Sequence, residues 1–97
     1  MTRPIRTALV AAGLALIATG ADAACFADYK AKMDNPLRLH YGVIQVPDSA
    51  CSTAAAYDVI ASRVAAGGWE LLEVMSVFDE SGLDARRADA GQFYLAF

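Results

Sequence analysis

Along the chain the spacing of apolar residues changes repeatedly, and each change marks an element. Ala8–Ala18 is an unbroken apolar run behind Arg3 and Arg6. Phe26, Tyr29 and Met33 then share one side of a helical wheel, with Lys30 and Lys32 towards water, which predicts a short helix over Phe26–Met33. Asp34-Asn35-Pro36 ends it, because proline cannot continue a helix and disfavours helix at the residue before it. Leu39–Val46 (LHYGVIQV) is rich in β-branched and aromatic residues and predicts a strand, stopped by Pro47-Asp48-Ser49.

From Ser52 the period becomes helical. Thr53, Ala56, Tyr57, Ile60, Val64 and Gly67 form one stripe, with Asp58, Ser62 and Ala65 opposite. Ser52 or Thr53 is the expected N-cap and Gly67-Gly68 the stop, since glycine tolerates the left-handed conformation of a helix C-terminus. Trp69–Phe78 and Gln92–Phe97 each read as a strand, and Asp79–Gly91 between them reads as a loop with a helical turn through Leu83–Ala88. The expected class is α+β: a short N-terminal helix, then β-α-β-β, in a small three-stranded sheet with one main helix on one face. The last strand is expected in the middle. Taken by simple alternation, both faces of the Trp69–Phe78 strand carry apolar groups, so one helix leaves apolar surface uncovered.

The N-terminal run changes the meaning of the composition. A basic start, an apolar stretch of about 11 residues and Ala21-Asp22-Ala23 before Ala24 read as a secretory signal peptide over residues 1–23; a spanning helix needs roughly 20. Residues 24–97 are then a single small domain, exported to a periplasmic or extracellular location and not held at the membrane once the signal is removed. Of 8 basic and 11 acidic residues, Arg3, Arg6 and Asp22 fall in the signal, leaving 6 and 10 and a formal charge of −4. That balance has no electrostatic footprint for nucleic acid. Cys25 and Cys51 are the two cysteines, and in an oxidising compartment an even pair predicts one structural disulfide.

Tyr41-Gly42-Val43-Ile44-Gln45-Val46, a helix, Gly68-Trp69-Glu70-Leu71 and the terminal Phe93-Tyr94-Leu95 resemble a family of small bacterial domains of unknown function. Its members carry a Gly-Trp-Glu-Leu signature after their helix and end on a short strand. The resemblance covers roughly residues 39–97 and implies a compact α+β domain with no catalytic residue to carry over. The signal, the cysteine pair and the Phe26–Met33 extension set this chain apart from the simplest members.

Candidate chemistry is sparse. His40 is the only histidine, and with both cysteines bridged no nitrogen and sulfur set remains for zinc. No cofactor is expected. Asp79 and Asp84 lie in an acidic loop that lacks the ligand spacing of an EF-hand. With His40 they form the candidate polar site. Arg86-Arg87 beside Asp84 and Asp89 read as local ion pairs. Glu70 and Glu73, three apart on a strand, are expected on opposite faces. The candidate contact surface is Trp69, Leu71, Met75, Phe93 and Leu95. The favoured function is a noncatalytic module that forms a homo-oligomer or binds a protein partner. A small-ligand or metal-binding protein is the alternative. A small hydrolase using Ser49 or Ser52 with His40 has no nucleophile-elbow motif behind it.

Overall fold

Cys25–Met33, expected to contain a helix, is instead the central strand (β1) of a three-stranded antiparallel sheet. The computed structural model describes residues 24–97, so the expected signal peptide, residues 1–23, lies outside the described residues. β1 is flanked by β2 (Arg38–Val46) on one side and β3 (Glu70–Phe78) on the other. Period two explains the correction. Cys25, Ala27, Tyr29 and Ala31 are buried on one face, while Asp28, Lys30 and Lys32 alternate with them on the other. Asp34-Asn35-Pro36 therefore ends a strand and not a helix. It turns β1 into β2 with a cis Asn35–Pro36 bond and Asn35 at φ 62°.

The helix α1 (Thr53–Ala66) links β2 to β3, which run parallel to each other with β1 between them. Ser52 is its N-cap, the side-chain oxygen accepting from the Ala55 N–H at 3.1 Å. Its exit explains the Gly-Trp pair. Gly68, at φ 89°, donates to the Ala65 carbonyl, and Trp69 donates to that of Val64, both at 3.0 Å. This is the Schellman closure, in which the glycine takes the left-handed position and an apolar residue follows it onto the helix.

α1 buries Ala56, Ile60 and Val64 against Ala27, Tyr29, Ala31, Ile44 and Leu71. Each large aliphatic group taken fully from water contributes roughly 1.5–3 kcal/mol. Small side chains on the central strand let the helix approach, and Gly42 leaves room for the Tyr29 ring, into which a Cβ at that position would run. The Cys25–Cys51 disulfide ties the start of β1 to the segment entering α1, across a sequence separation of 26.

Simple alternation fails in β3 because the strand bulges twice. Asp28 pairs with Ser76 but Tyr29 with Val74, which makes Met75 the extra residue. Lys30 pairs with Glu73 but Ala31 with Leu71, which makes Leu72 the second. The bulges place Leu71, Val74 and Val77 together on the α1 face, and Glu70, Glu73, Ser76 and Phe78 together on the other. The expectation of opposite faces for Glu70 and Glu73 is therefore corrected.

Gln92–Phe97 is not the third, central strand. It forms a 3-10 turn (Gly91–Phe93) and then a segment that meets the outer edge of β2 at a single parallel bridge, Val43 with Tyr94. The Leu95 N–H donates to the Val43 carbonyl at 2.8 Å. β1 holds the central place, and of the terminal aromatics Phe93 and Phe97 stack by His40 while Tyr94 lies under Arg87. Asp79–Gly91 holds a 3-10 piece (Glu80–Gly82) and then, where a helical turn was expected, the short helix α2 (Asp84–Ala90), which lies against the second face of the sheet.

Candidate functional site

Three side-chain groups stand out, one on the α1 face and two on the other. On the α1 face His40 is enclosed by aromatic rings. It stacks on Phe93 with centroids 3.7 Å apart, meets Trp69 edge-on at 4.3 Å and Tyr29 at 5.3 Å, and has Phe97 stacked beyond. Arg38 lies over the outer side of the Trp69 ring at 5.5 Å. His40 Nε2 and the Tyr29 hydroxyl are joined at 2.9 Å, while Nδ1 is buried with no partner among the described residues. Burial pushes the Tyr29 hydroxyl up to about 12 and holds His40 below its ordinary value of 6.5.

A histidine that binds its proton less readily folded than unfolded makes stability rise with pH. Its contribution is complete above the ordinary value and is lost as pH falls from there through the lowered folded value. The melting temperature should therefore drop by several degrees between about pH 7.5 and about pH 5. In His40→Phe this interval should be flat, because the chain has no other histidine. An equal acid limb in the variant would assign the effect elsewhere.

On the second face Asp28, 6% exposed, is the acceptor of a polar cluster. Its Oδ2 accepts from the Tyr41 hydroxyl at 2.8 Å and from Arg86 Nε at 3.0 Å, and its Oδ1 accepts from the Ser76 hydroxyl at 2.7 Å. Burial raises the carboxyl. The hydrogen bonds from Ser76, Tyr41 and Arg86, with the charge of Arg86, outweigh that and leave it below 3.8. The Arg86 guanidinium also covers the Phe78 ring at 4.0 Å and donates to the Gly82 carbonyl at 2.8 Å. Arg86 thus fastens α2 over half of this face.

Among the described residues no element covers the other half. Two rows cross the strands there, Tyr41–Lys30–Glu73 and Leu39–Lys32–Glu70. Leu39 is 67% exposed and Leu72 45%, and together with Lys30 and Tyr41 they border a groove of about 290 Å³. Leu37, in the adjoining turn, is 64% exposed. Lys32 pairs within the chain with Asp34 at 3.3 Å and Glu70 at 3.8 Å; Lys30 and Glu73 make no ion pair among the described residues.

The residues expected at a contact surface are divided by the fold. Trp69 and Leu71 are buried in the core and Phe93 is partly buried against His40, whereas Met75 and Leu95 are exposed. The polar candidates are not brought together. His40 belongs to the α1 face, Asp79 accepts from the Ser81 N–H in the turn before α2, and Asp84 sits at the exposed start of α2, 3.5 Å from Arg87. Arg87 makes the local pair expected, but Arg86 reaches across the fold to Asp28. Among the described residues no group of three or more His, Cys, Asp or Glu is placed to hold a metal ion, and no helix is long and apolar enough to cross a membrane.

Leu39, Leu72, Asp28, Tyr41 and Ser76 were not singled out by sequence reasoning. The lone acid Asp28 among the apolar residues of β1 is the signal that could have found the cluster. Nothing in local pattern marks Leu72, because its exposure comes from the bulge. Comparison with protein-family models, curated proteins and solved structures returns no match.

Proposed function

We propose that this chain is an exported, noncatalytic module that self-associates weakly through the uncovered half of its second sheet face. The observation that carries this reading is the pair of exposed leucines, Leu39 and Leu72, flanking a groove on the part of the sheet that α2 does not reach. Apolar groups gathered on an otherwise polar surface mark contact sites. Three strands by about four residues give a patch of roughly 200 Å² in projection. That is well below the roughly 800 Å² per partner of a standard interface, so the association expected is concentration-dependent and readily reversed.

Export is supported by the basic, apolar and small-residue order of Arg3–Ala23 and by the Cys25–Cys51 bond. The Gly68-Trp69-Glu70-Leu71 stretch resembles the signature of small bacterial domains of unknown function, and this reading takes the module as similar to them. The noncatalytic reading takes His40 as a packing residue, stacked on Phe93 and joined to the Tyr29 hydroxyl among the described residues.

Light scattering on the disulfide-bonded protein, purified from an exporting bacterial host, should show average mass rising with concentration. Leu39→Asp should weaken the association at least tenfold and leave the melting temperature within a degree or two, as expected for an exposed position. A mass that stays monomeric at every concentration would overturn the reading.

A further inference from the structure

We infer that the partner on this face is a second copy of the chain, related by a two-fold axis that runs parallel to the strands between β1 and β3. The inference rests on the self-association proposed above and assigns its geometry. Across the uncovered half-face the charges form stripes along the strands. Lys30 and Lys32 lie on β1, Glu70 and Glu73 on β3, and the apolar Leu39 and Tyr41 on β2. The acidic stripe exists because the bulge at Leu72 brings both glutamates to this side.

Rotation by 180° about an axis between the two charged stripes lays the basic stripe of each copy over the acidic stripe of the other. Such an operation leaves position along the strand unchanged. Lys30 therefore faces Glu73 of the second copy, Lys32 faces its Glu70, and the reciprocal pairs form at the same time. Leu39 and Tyr41 project past β1 towards the other copy's β3 edge, where the bulged Leu72 is exposed. An axis along β1 itself would set lysine on lysine, and one along β3 glutamate on glutamate. Like charges opposed at close range reject both.

Charge exchange between the stripes tests the arrangement. Lys30→Glu with Lys32→Glu and, separately, Glu70→Lys with Glu73→Lys should each weaken self-association at least tenfold, since each variant opposes like stripes. An equimolar mixture of the two variants should recover association, because a mixed pair matches at all four contacts. The quadruple variant should also recover it, and because it keeps opposite charges across both β1–β3 rows and gives up only the Lys32–Asp34 contact, it guards against a folding defect from like-charged rows in either double variant. Raising the salt from about 50 to about 500 mM should weaken the wild-type association.

If the double variants associate as the wild type does, or if the mixture and the quadruple variant stay monomeric, the two-fold arrangement is wrong. Wild-type association abolished by Leu39→Asp but indifferent to both stripe reversals would overturn the arrangement alone and leave the module's self-association standing. A wild type that is monomeric throughout overturns both.

Discussion

Breaking the Cys25–Cys51 bond should lower the unfolding free energy by about 3.5 kcal/mol, the loop-entropy value for a closure of this length. A domain of this size is stable by roughly 4–11 kcal/mol in total, so the loss takes a large share of its stability. The bond closes a loop that contains all of β2, and it holds one end of the central strand against the entry to α1. Without it the unfolded chain gains freedom while the folded core keeps its contacts. The measurement is a urea titration of the protein with and without reductant, repeated on Cys25→Ala with Cys51→Ser. Both should shift the midpoint downward by similar amounts. A midpoint indifferent to reduction would mean that the core alone holds the chain together.

Asp28→Ala should cost about 3 kcal/mol. Removing one member of a buried ion pair costs about 3–5 kcal/mol because the remaining charge loses its partner. Here the Arg86 side chain is 29% exposed and recovers some hydration, which argues for the lower end. The Tyr41 and Ser76 hydroxyls lose their acceptor at the same time. Since Arg86 fastens α2, amide exchange should accelerate through Asp84–Ala90 and more than it does in α1.

The pH dependence gives a second readout of the same group. Asp28 is held below 3.8 when folded, so its contribution is complete above the ordinary carboxylate value and disappears as pH falls through the lowered one. Asp28→Asn should therefore be less stable than the wild type near neutrality and should lose less stability on acidification below about pH 4. If instead the alanine variant melts with the wild type, the cluster contributes nothing to holding α2 down.

Where local chemistry decides, the sequence was legible. Ser52 caps α1 and Gly68 closes it because both roles depend on a hydroxyl or a missing Cβ within a few bonds. The cysteine pair, the α+β class, the strand at Leu39–Val46 and the one at Trp69–Phe78 were read for similar reasons. Phe26–Met33 is ambiguous because two periods coexist in it. Phe26, Tyr29 and Met33 fit a helix, while Ala27, Tyr29 and Ala31 against Asp28, Lys30 and Lys32 fit a strand. Alanine, a good helix former, serves in β1 as the small residue beneath α1. Packing overrode propensity there.

The candidate site was less legible than the fold. Trp69 and Leu71 were expected at a contact surface because they are large and apolar, and the same property takes them into the core. Leu39 and Leu72 reach water for reasons of position. Leu39 stands on the half-face α2 leaves open, and Leu72 is a bulge residue on an edge strand.

By itself the sequence determined the elements whose signals are short-range: the capped helix, the closing glycine, two of the three strands and a cysteine pair ready to bridge. Tertiary structure alone decided which strand is central, where β3 bulges, that Arg86 reaches Asp28 instead of its neighbours, and that Glu70 and Glu73 share a face. The physical reason is the range of the interactions. Caps and turns are settled within a few residues, whereas register and face depend on partners up to about sixty positions apart, as Asp28 and Arg86 are.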